Sequence, residues 1–156
     1  QLVHGNKSSG LIKSLLRNGA MIEGWAVYSE RMMLEEGWGN QEPEMWLMYG
    51  KWNLRVVTNA IMDYAVHVLG MTEDEAMDMM LNEAFQEQTE AENKWRRIRL
   101  SQVQLTSYFT GYAEIYDYRE RVKERQGDDF DLKAFHNEFL SYGNAPVPAI
   151  IELMEE

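Results

Sequence analysis

One long stretch decides the fold class. Residues Pro43 to Gly70 read PEMWLMYGKWNLRVVTNAIMDYAVHVLG, with large apolar residues at helical spacing and no sustained alternation of apolar and polar residues. Proline suits the first position of a helix, because its missing N–H would find no partner there anyway. Glycine commonly follows the end of a helix. The stretch therefore predicts one long α-helix from Pro43 to Gly70.

Glycine, proline and capping residues divide the rest of the chain in the same way, and β-strand signals are nearly absent. Thr72 with Glu75 three residues later matches a capping box. The other predicted helices run from near Leu15 or Asn18 to Glu36, from Thr72 to about Phe85, from about Glu87 to Leu100, from about Gln102 to Gln126, from Asp131 to Tyr142, and from Pro146 onward. The pattern predicts an all-α bundle or array of six to seven helices, with residues 1–156 as a single helical domain or subdomain and residues 1–14 as a loop-rich segment.

Composition narrows the classes of function. The chain has 156 residues, which suits one domain with a sizeable core. Its net charge of −11 argues against a nucleic-acid partner, because phosphate contacts need a basic surface. Cysteine is absent, which excludes disulfides and thiolate metal sites, and no apolar run approaches the roughly 20 residues of a membrane-spanning helix. Because Gln1 is not an initiator methionine, we expect the chain to be part of a longer protein.

Polar residues interrupt an apolar stripe on the Pro43–Gly70 helix. Asn59, Asp63 and His67 follow one another at four-residue spacing and share one helix face. A carboxylate one turn from an imidazole can orient it, and burying either group is costly unless it is hydrogen-bonded. Two interpretations stay open: a satisfied Asp–His core pair or exposed helix edge, and an active-site pair.

A second polar interruption lies on the first predicted helix. Glu23 stands within an apolar stretch, and Glu30 follows two turns later on the same face. Gly24 is a poor helix former, so its presence predicts that another group approaches the backbone closely. Glu23 is either a rim carboxylate or a functional one.

A third candidate set lies near the C-terminal half. Gln104, Tyr108 and Tyr112 recur every four residues on one face. Such a stripe is either core packing or a set of hydrogen-bond donors for an oxyanion. His136 is a packed or capping histidine by the same reasoning, unless it belongs to a site.

Charge is unevenly distributed along the chain. The segment from Met71 to Glu92 contains eight acidic residues and neither lysine nor arginine. It predicts a solvated acidic helix pair or, alternatively, an acidic docking surface for a basic protein partner. No His-Glu-x-x-His motif, phosphate-binding loop or nucleophile elbow is present, so the chain holds no complete catalytic constellation by itself.

Several motifs, in order along nearly the whole chain, resemble one bacterial family. The segment from Glu23 to Glu30, EGWAVYSE, resembles the E-G-W-A-[LV]-Y-x-E motif of the domain of unknown function eight-eight-five, which looks like a branch of the gluzincin-type zinc metallopeptidases. Asp63 and His67 look like the Asp and His of its V-V-D-T-G-L-H segment. Further similar segments are LGMTEDEA at 69–76, QLTSYFTG at 104–111, FDLKAFH at 130–136 and GNAPV at 143–147.

The resemblance implies a C-terminal part of a larger gluzincin-like helical protein, with the two zinc-binding histidines and the general-base glutamate upstream of Gln1. A catalytic zinc with two histidines and one glutamate keeps a position open for water. By this match Glu23 is the metal ligand; the candidate catalytic residues are Tyr108, Tyr112 and His67, and the candidate cleft or supporting residues are Glu30, Asn59, Asp63, Gln104 and His136. The sequence departs from the family at Asn59, Tyr64, Ala65, Gln102 and Val103, so the resemblance does not extend to substrate recognition around that helix.

The leading hypothesis is therefore that the parent protein hydrolyses peptide bonds, with a peptide or protein as substrate and the upstream part of the same protein as partner. Zinc is expected in the intact parent and absent or weakly bound here, because one carboxylate cannot hold the ion, so this chain alone is expected to be inactive. A homo-oligomer is compatible with the sequence, and the resemblance implies a bacterial cell-envelope or extracytoplasmic location. The alternative is a non-catalytic helical module that binds proteins through its acidic surface.

Overall fold

A computed structural model describes residues 16–156. These residues contain seven α-helices and no β-strand, which confirms the all-α prediction and the expected number of helices. The loop-rich segment predicted for residues 1–14 lies outside the described residues. The helices are α1 (Gly19–Glu35), α2 (Pro43–Tyr64), α3 (Glu73–Asp78), α4 (Gln88–Ile98), α5 (Gln104–Gln126), α6 (Leu132–Ser141) and α7 (Val147–Glu155).

The predicted capping residues begin their helices. At α3 the backbone N–H of Thr72 donates to Glu75 Oε2 at 2.8 Å, and the backbone N–H of Glu75 donates to Thr72 Oγ1 at 3.4 Å, which completes the capping box. At α6 the Asp131 carboxylate accepts from the backbone N–H of Ala134 at 2.8 Å. Each side chain satisfies a backbone donor that has no partner within its helix.

Two π-helical turns change the predicted helix ends. The helix predicted over Pro43–Gly70 is α-helical only to Tyr64 and continues as a π turn over Ala65–Leu69, which Gly70 closes with a φ of 76°. A second π turn, Met79–Glu83, extends α3. A π turn accommodates an extra residue, and such turns are often found at functional sites. The first one carries His67.

The chain packs into two compact units. One unit joins the chain as far as Tyr28 to Thr110–Glu156, and the other comprises Ser29–Phe109. The 29–109 unit is built around seven buried side chains: Met62, Ala76, Met80, Ala91, Trp95, Ile98 and Leu105. The prediction of a single helical domain or subdomain over residues 1–156 stays a prediction.

The other unit has an aromatic core. The ring centroid of Phe135 lies 5.8 Å from that of Tyr118 and 5.9 Å from that of Phe139, and Phe139 also stacks on Trp25 at 5.9 Å. Large rings at these distances bury much apolar area and fix the packing of their helices. In the described part of the chain, no helix combines the length and the apolar character needed to cross a membrane.

Candidate functional site

Asp63 holds the beginning of α5. Its side chain is only 2% exposed, and its two carboxylate oxygens accept from the backbone N–H of Val103 at 3.2 Å and of Thr106 at 3.0 Å. The Thr106 hydroxyl donates to the same carboxylate at 3.1 Å. The first N–H groups of a helix lack partners within the helix and carry partial positive charge, so a carboxylate from α2 stabilises this helix end.

His67 engages the end of α4. Its Nε2 lies 2.9 Å from the carbonyl oxygen of Ile98 and 3.2 Å from that of Ser101, and 3.6 Å from Asp63 Oδ1. A carbonyl only accepts, so His67 donates through Nε2. Asp63 and His67, one turn apart, therefore hold the start of α5 and the end of α4. These bonds match the satisfied core pair, and the catalytic role of His67 stays a prediction.

The remaining candidates of the 29–109 unit are not gathered around that pair. Gln104 is exposed and accepts from Arg97 at 2.9 Å. Asn59 is half-buried, and its side-chain oxygen finds no donor within residues 16–156. Tyr108 is half-buried. Glu30 is exposed as a whole residue, but partial burial of its carboxyl raises the pKa of Glu30 above its ordinary value.

Glu23 lies beside a close contact of two helix backbones. Gly24 and Gly111 are buried, and a Cβ on Gly24 would lie 2.6 Å from the backbone nitrogen of Tyr112 and closer still to Gly111. This confirms the prediction that another group approaches the backbone at Gly24. Glu23 is half-buried and Tyr112 is buried, so both residues lie close to this backbone contact.

His136 belongs to a polar cluster within the aromatic core of the same unit. Its Nε2 lies 2.6 Å from the Tyr28 hydroxyl, and its ring stands edge-on to Trp25 with a centroid distance of 5.3 Å. The guanidinium of Arg119 lies over the ring of Tyr28 at 5.4 Å. Burial, and secondarily the charge of Arg119, lower the pKa of His136 to about 4. The imidazole is therefore neutral at pH 7.

Two charged residues of this unit are not among the sequence candidates. Arg119 is 4% exposed and pairs with Glu120, with Nη2 and Oε1 2.7 Å apart. Burial raises the pKa of the Glu114 carboxyl. A signal exists for both: Arg119 lies four residues after the buried Ile115 on the same stripe, and Glu114 is the one acidic residue of the aromatic segment 108–116.

The described residues do not form a zinc site by themselves. Residues 16–156 contain no group of three or more His, Cys, Asp or Glu side chains placed to hold a metal ion. Of the predicted site residues, Glu23, Tyr112 and His136 lie in one unit, and the other six lie in the 29–109 unit.

The acidic segment is partly engaged in local structure. Glu90 pairs with Arg55 of α2, Asp78 accepts from Asn82 at 2.6 Å, and Glu92 accepts from Gln88 at 2.8 Å. Glu87 remains exposed. These bonds describe a solvated acidic surface with internal partners, which is the simpler of the two interpretations.

Comparison with protein families gives one match over almost the full length. The family described as "Bacterial protein of unknown function (DUF885)" matches residues 1–154. No curated protein matches the chain.

Solved structures resemble the chain closely. A "putative lipoprotein of unknown function" from Shewanella oneidensis is 67% identical, with a TM-score of 0.95 over 99% of this chain and 28% of its own. A "putative lipoprotein" from Colwellia psychrerythraea is 26% identical, with a TM-score of 0.85 over 90% of this chain and 24% of its own. The chain thus spans about a quarter of the length of each of these proteins.

Proposed function

This chain belongs to the DUF885 family of bacterial proteins of unknown function, and from that premise we propose that it is a helical part of a zinc-dependent peptidase of the cell envelope. The chain contributes Glu23 as one metal ligand. The other ligands and the general base come from polypeptide outside residues 16–156.

One observation carries the proposal. The backbone contact at Gly24 and Gly111 is too close for any side chain at either position, and it lies next to Glu23 in sequence and beside the backbone of Tyr112. Ordinary side chains keep packed helix axes about 8–10 Å apart, so a direct backbone contact holds α1 and α5 unusually close at this point. A metal ligand has to be held within about 0.5 Å of its productive position, and a fixed backbone contact beside Glu23 would serve that requirement.

Each residue then has a distinct role in the proposal. Glu23 supplies a single negative carboxylate, and the hydroxyl of Tyr112, in the same unit, supplies a hydrogen bond to the substrate carbonyl as it becomes an oxyanion. Asp63 and His67 position the α4–α5 connection through the backbone groups that they bind.

The location in the envelope has its own support. Both structural relatives are described as lipoproteins, and a lipid anchor attaches a protein to a membrane surface without a spanning helix. The proposed substrate is accordingly a peptide or protein outside the cytoplasm.

The test uses a full-length hybrid in which residues 1–156 replace the matching region of the Shewanella relative. We expect the hybrid to contain about one zinc per chain and to cleave peptides. Glu23→Gln removes the charge but keeps the size of the side chain. It should lower the zinc content and reduce peptidase turnover by at least about 100-fold, because loss of an anionic ligand weakens the metal site.

Glu36→Gln is the matched control, because Glu36 is exposed just after the end of α1. It should leave zinc content and turnover unchanged. Undiminished zinc in the Glu23→Gln hybrid would remove Glu23 from the metal site, and a folded hybrid without peptidase turnover would remove the proposed activity.

A further inference from the structure

The exposed side of α2 carries a contiguous apolar surface. We name it the α2–Phe85 surface, and it consists of Trp46, Leu47, Met48, Trp52, Leu54 and Phe85, all within the 29–109 unit. Leu47 is 76% exposed and Phe85 is 66% exposed. Scattered exposed leucines are ordinary, but a contiguous set of large side chains marks an interaction surface.

Two grooves give this surface its shape. One has a volume of about 680 Å³ and is lined by Trp46, Leu47, Leu54 and Phe85, with Gly50 between them. A Cβ on Gly50 would meet no atom within 4 Å, so the groove is open there. The second groove, of about 220 Å³, shares Phe85 with the first. Large apolar side chains of another polypeptide segment would fit the first groove.

Phe85 is held in this position at a conformational cost. Its φ is +52°, in the left-handed region that favours glycine, and it lies two residues after the end of the second π turn. The backbone N–H of Gln86 closes the turn on the carbonyl of Met80 at 2.9 Å. Glycine would satisfy this geometry without strain. A phenylalanine that is both strained and exposed indicates that its ring serves a contact.

Gln86 adds polar specificity to the second groove. It is only 7% exposed and lines this groove, yet neither its amide nitrogen nor its amide oxygen has a hydrogen-bond partner within residues 16–156. Buried polar groups are nearly always paired, because leaving them unpaired costs free energy. A side-chain amide offers both donors and an acceptor, so a backbone peptide group of another segment matches it on both counts.

The solved relatives indicate which polypeptide could cover the α2–Phe85 surface. The Shewanella lipoprotein reproduces this fold with a TM-score of 0.95, but the match covers only 28% of its chain. Most of that protein lies outside the matched region, and this additional polypeptide is available to pack against the α2–Phe85 surface. We propose that the α2–Phe85 surface is an intramolecular interface, covered in the longer proteins by an apolar segment from outside the matched region that pairs a backbone peptide group with Gln86. This inference does not depend on the zinc proposal.

Cysteine labelling tests the interface, because the chain has no cysteine of its own. Leu47→Cys is placed in this chain alone and in the full-length hybrid described above, and alkylation at position 47 is followed by mass spectrometry. In the isolated chain the thiol should react at nearly the rate of an unfolded peptide. In the hybrid we expect at least a 10-fold slower reaction, restored to the unfolded rate in urea. Leu47→Met, which retains an apolar contact, serves as the control that the hybrid tolerates substitution there.

Two results would overturn the proposal. Equal reactivity in the isolated chain and the hybrid would show that nothing covers the surface in the longer protein. Protection in the isolated chain that increases with protein concentration would assign the surface to a second copy of the chain. If the hybrid does not fold, the same labelling on the Shewanella relative, with cysteine at the position aligned with Leu47, decides between these outcomes.

Discussion

Gly24 of α1 and Gly111 of α5 bring two helix backbones into direct contact. A Cβ on Gly111 would lie 3.0 Å from the Cα of Gly24 and 2.7 Å from the carbonyl carbon of Ala20. Real Cβ atoms essentially never lie under 3.0 Å from a backbone atom, so any side chain at position 111 would force the helices apart. The contact makes the position of Glu23 depend on two residues that have no side chains.

The first prediction concerns this contact. Gly111→Ala should lower the free energy of unfolding by roughly 3 kcal/mol, because overpacking against backbone cannot be relieved by a rotamer change. Urea denaturation measures the effect.

Gly50→Ala is the matched control for that substitution. Gly50 also lies within a helix, but a Cβ there meets no atom within 4 Å, so alanine should raise stability by about 0.5–1 kcal/mol. The two glycine-to-alanine substitutions should therefore change the free energy of unfolding in opposite directions. Equal effects would show that helix propensity, and not the contact with α1, governs position 111.

The second prediction concerns Asp63. Asp63→Ala should lower the free energy of unfolding by about 2–4 kcal/mol, because the backbone N–H groups of Val103 and Thr106 lose their acceptor and the beginning of α5 loses its compensating charge. Hydrogen exchange at these two amides should accelerate more than at the middle of α5.

Asp117→Ala provides the comparison for Asp63. Asp117 is an exposed carboxylate of α5 that pairs with Arg121 at 3.2 Å. Exposed pairs contribute less than about 1 kcal/mol, so the two aspartates should differ clearly. If Asp63→Ala cost no more than Asp117→Ala, Asp63 would not be the anchor of this helix.

The third prediction concerns pH. The pKa of His136 is about 4 in the folded protein, below its ordinary value of 6.5. The unfolded chain therefore takes up a proton first as the pH falls. The stability contributed by the neutral ring is complete above pH 6.5 and is lost as the pH falls from 6.5 towards 4. Each pH unit removes less than about 1.4 kcal/mol, because the ring is only half-buried and solvent screens it.

His136→Gln separates this titration from all others. Glutamine can keep a hydrogen bond to the Tyr28 hydroxyl but does not titrate, so the variant should lose less stability over that pH range. The raised pKa of Glu114 acts in the opposite direction and is present in both proteins, so the difference between them isolates His136. Parallel stability curves for the two proteins would contradict the lowered pKa of the histidine.

Local signals predicted most of the fold. The capping box at Thr72, the cap at Asp131 and the start of α2 at Pro43 follow the prediction because each depends on backbone groups within a few residues. The π turn at Ala65–Leu69 escaped prediction. An apolar pattern of period near 3.6 does not distinguish an α turn from one widened π turn.

The candidate site shows even more clearly which features the sequence predicts and which depend on the tertiary structure. Sequence alone determined that Asp63 and His67 share a helix face and that something approaches Gly24, because helical spacing and the absence of a Cβ are properties of the chain itself. Only the tertiary structure decided that Asp63 and His67 bind the backbone of a distant connection and that Gly24 meets Gly111. It also decided that Phe85 is exposed beside Gln86, whose side-chain amide has no partner among the residues that the structure describes. The physical reason is that the free energy of a buried polar or apolar group depends on which distant atoms replace water around it, and spacing along a chain does not specify those atoms.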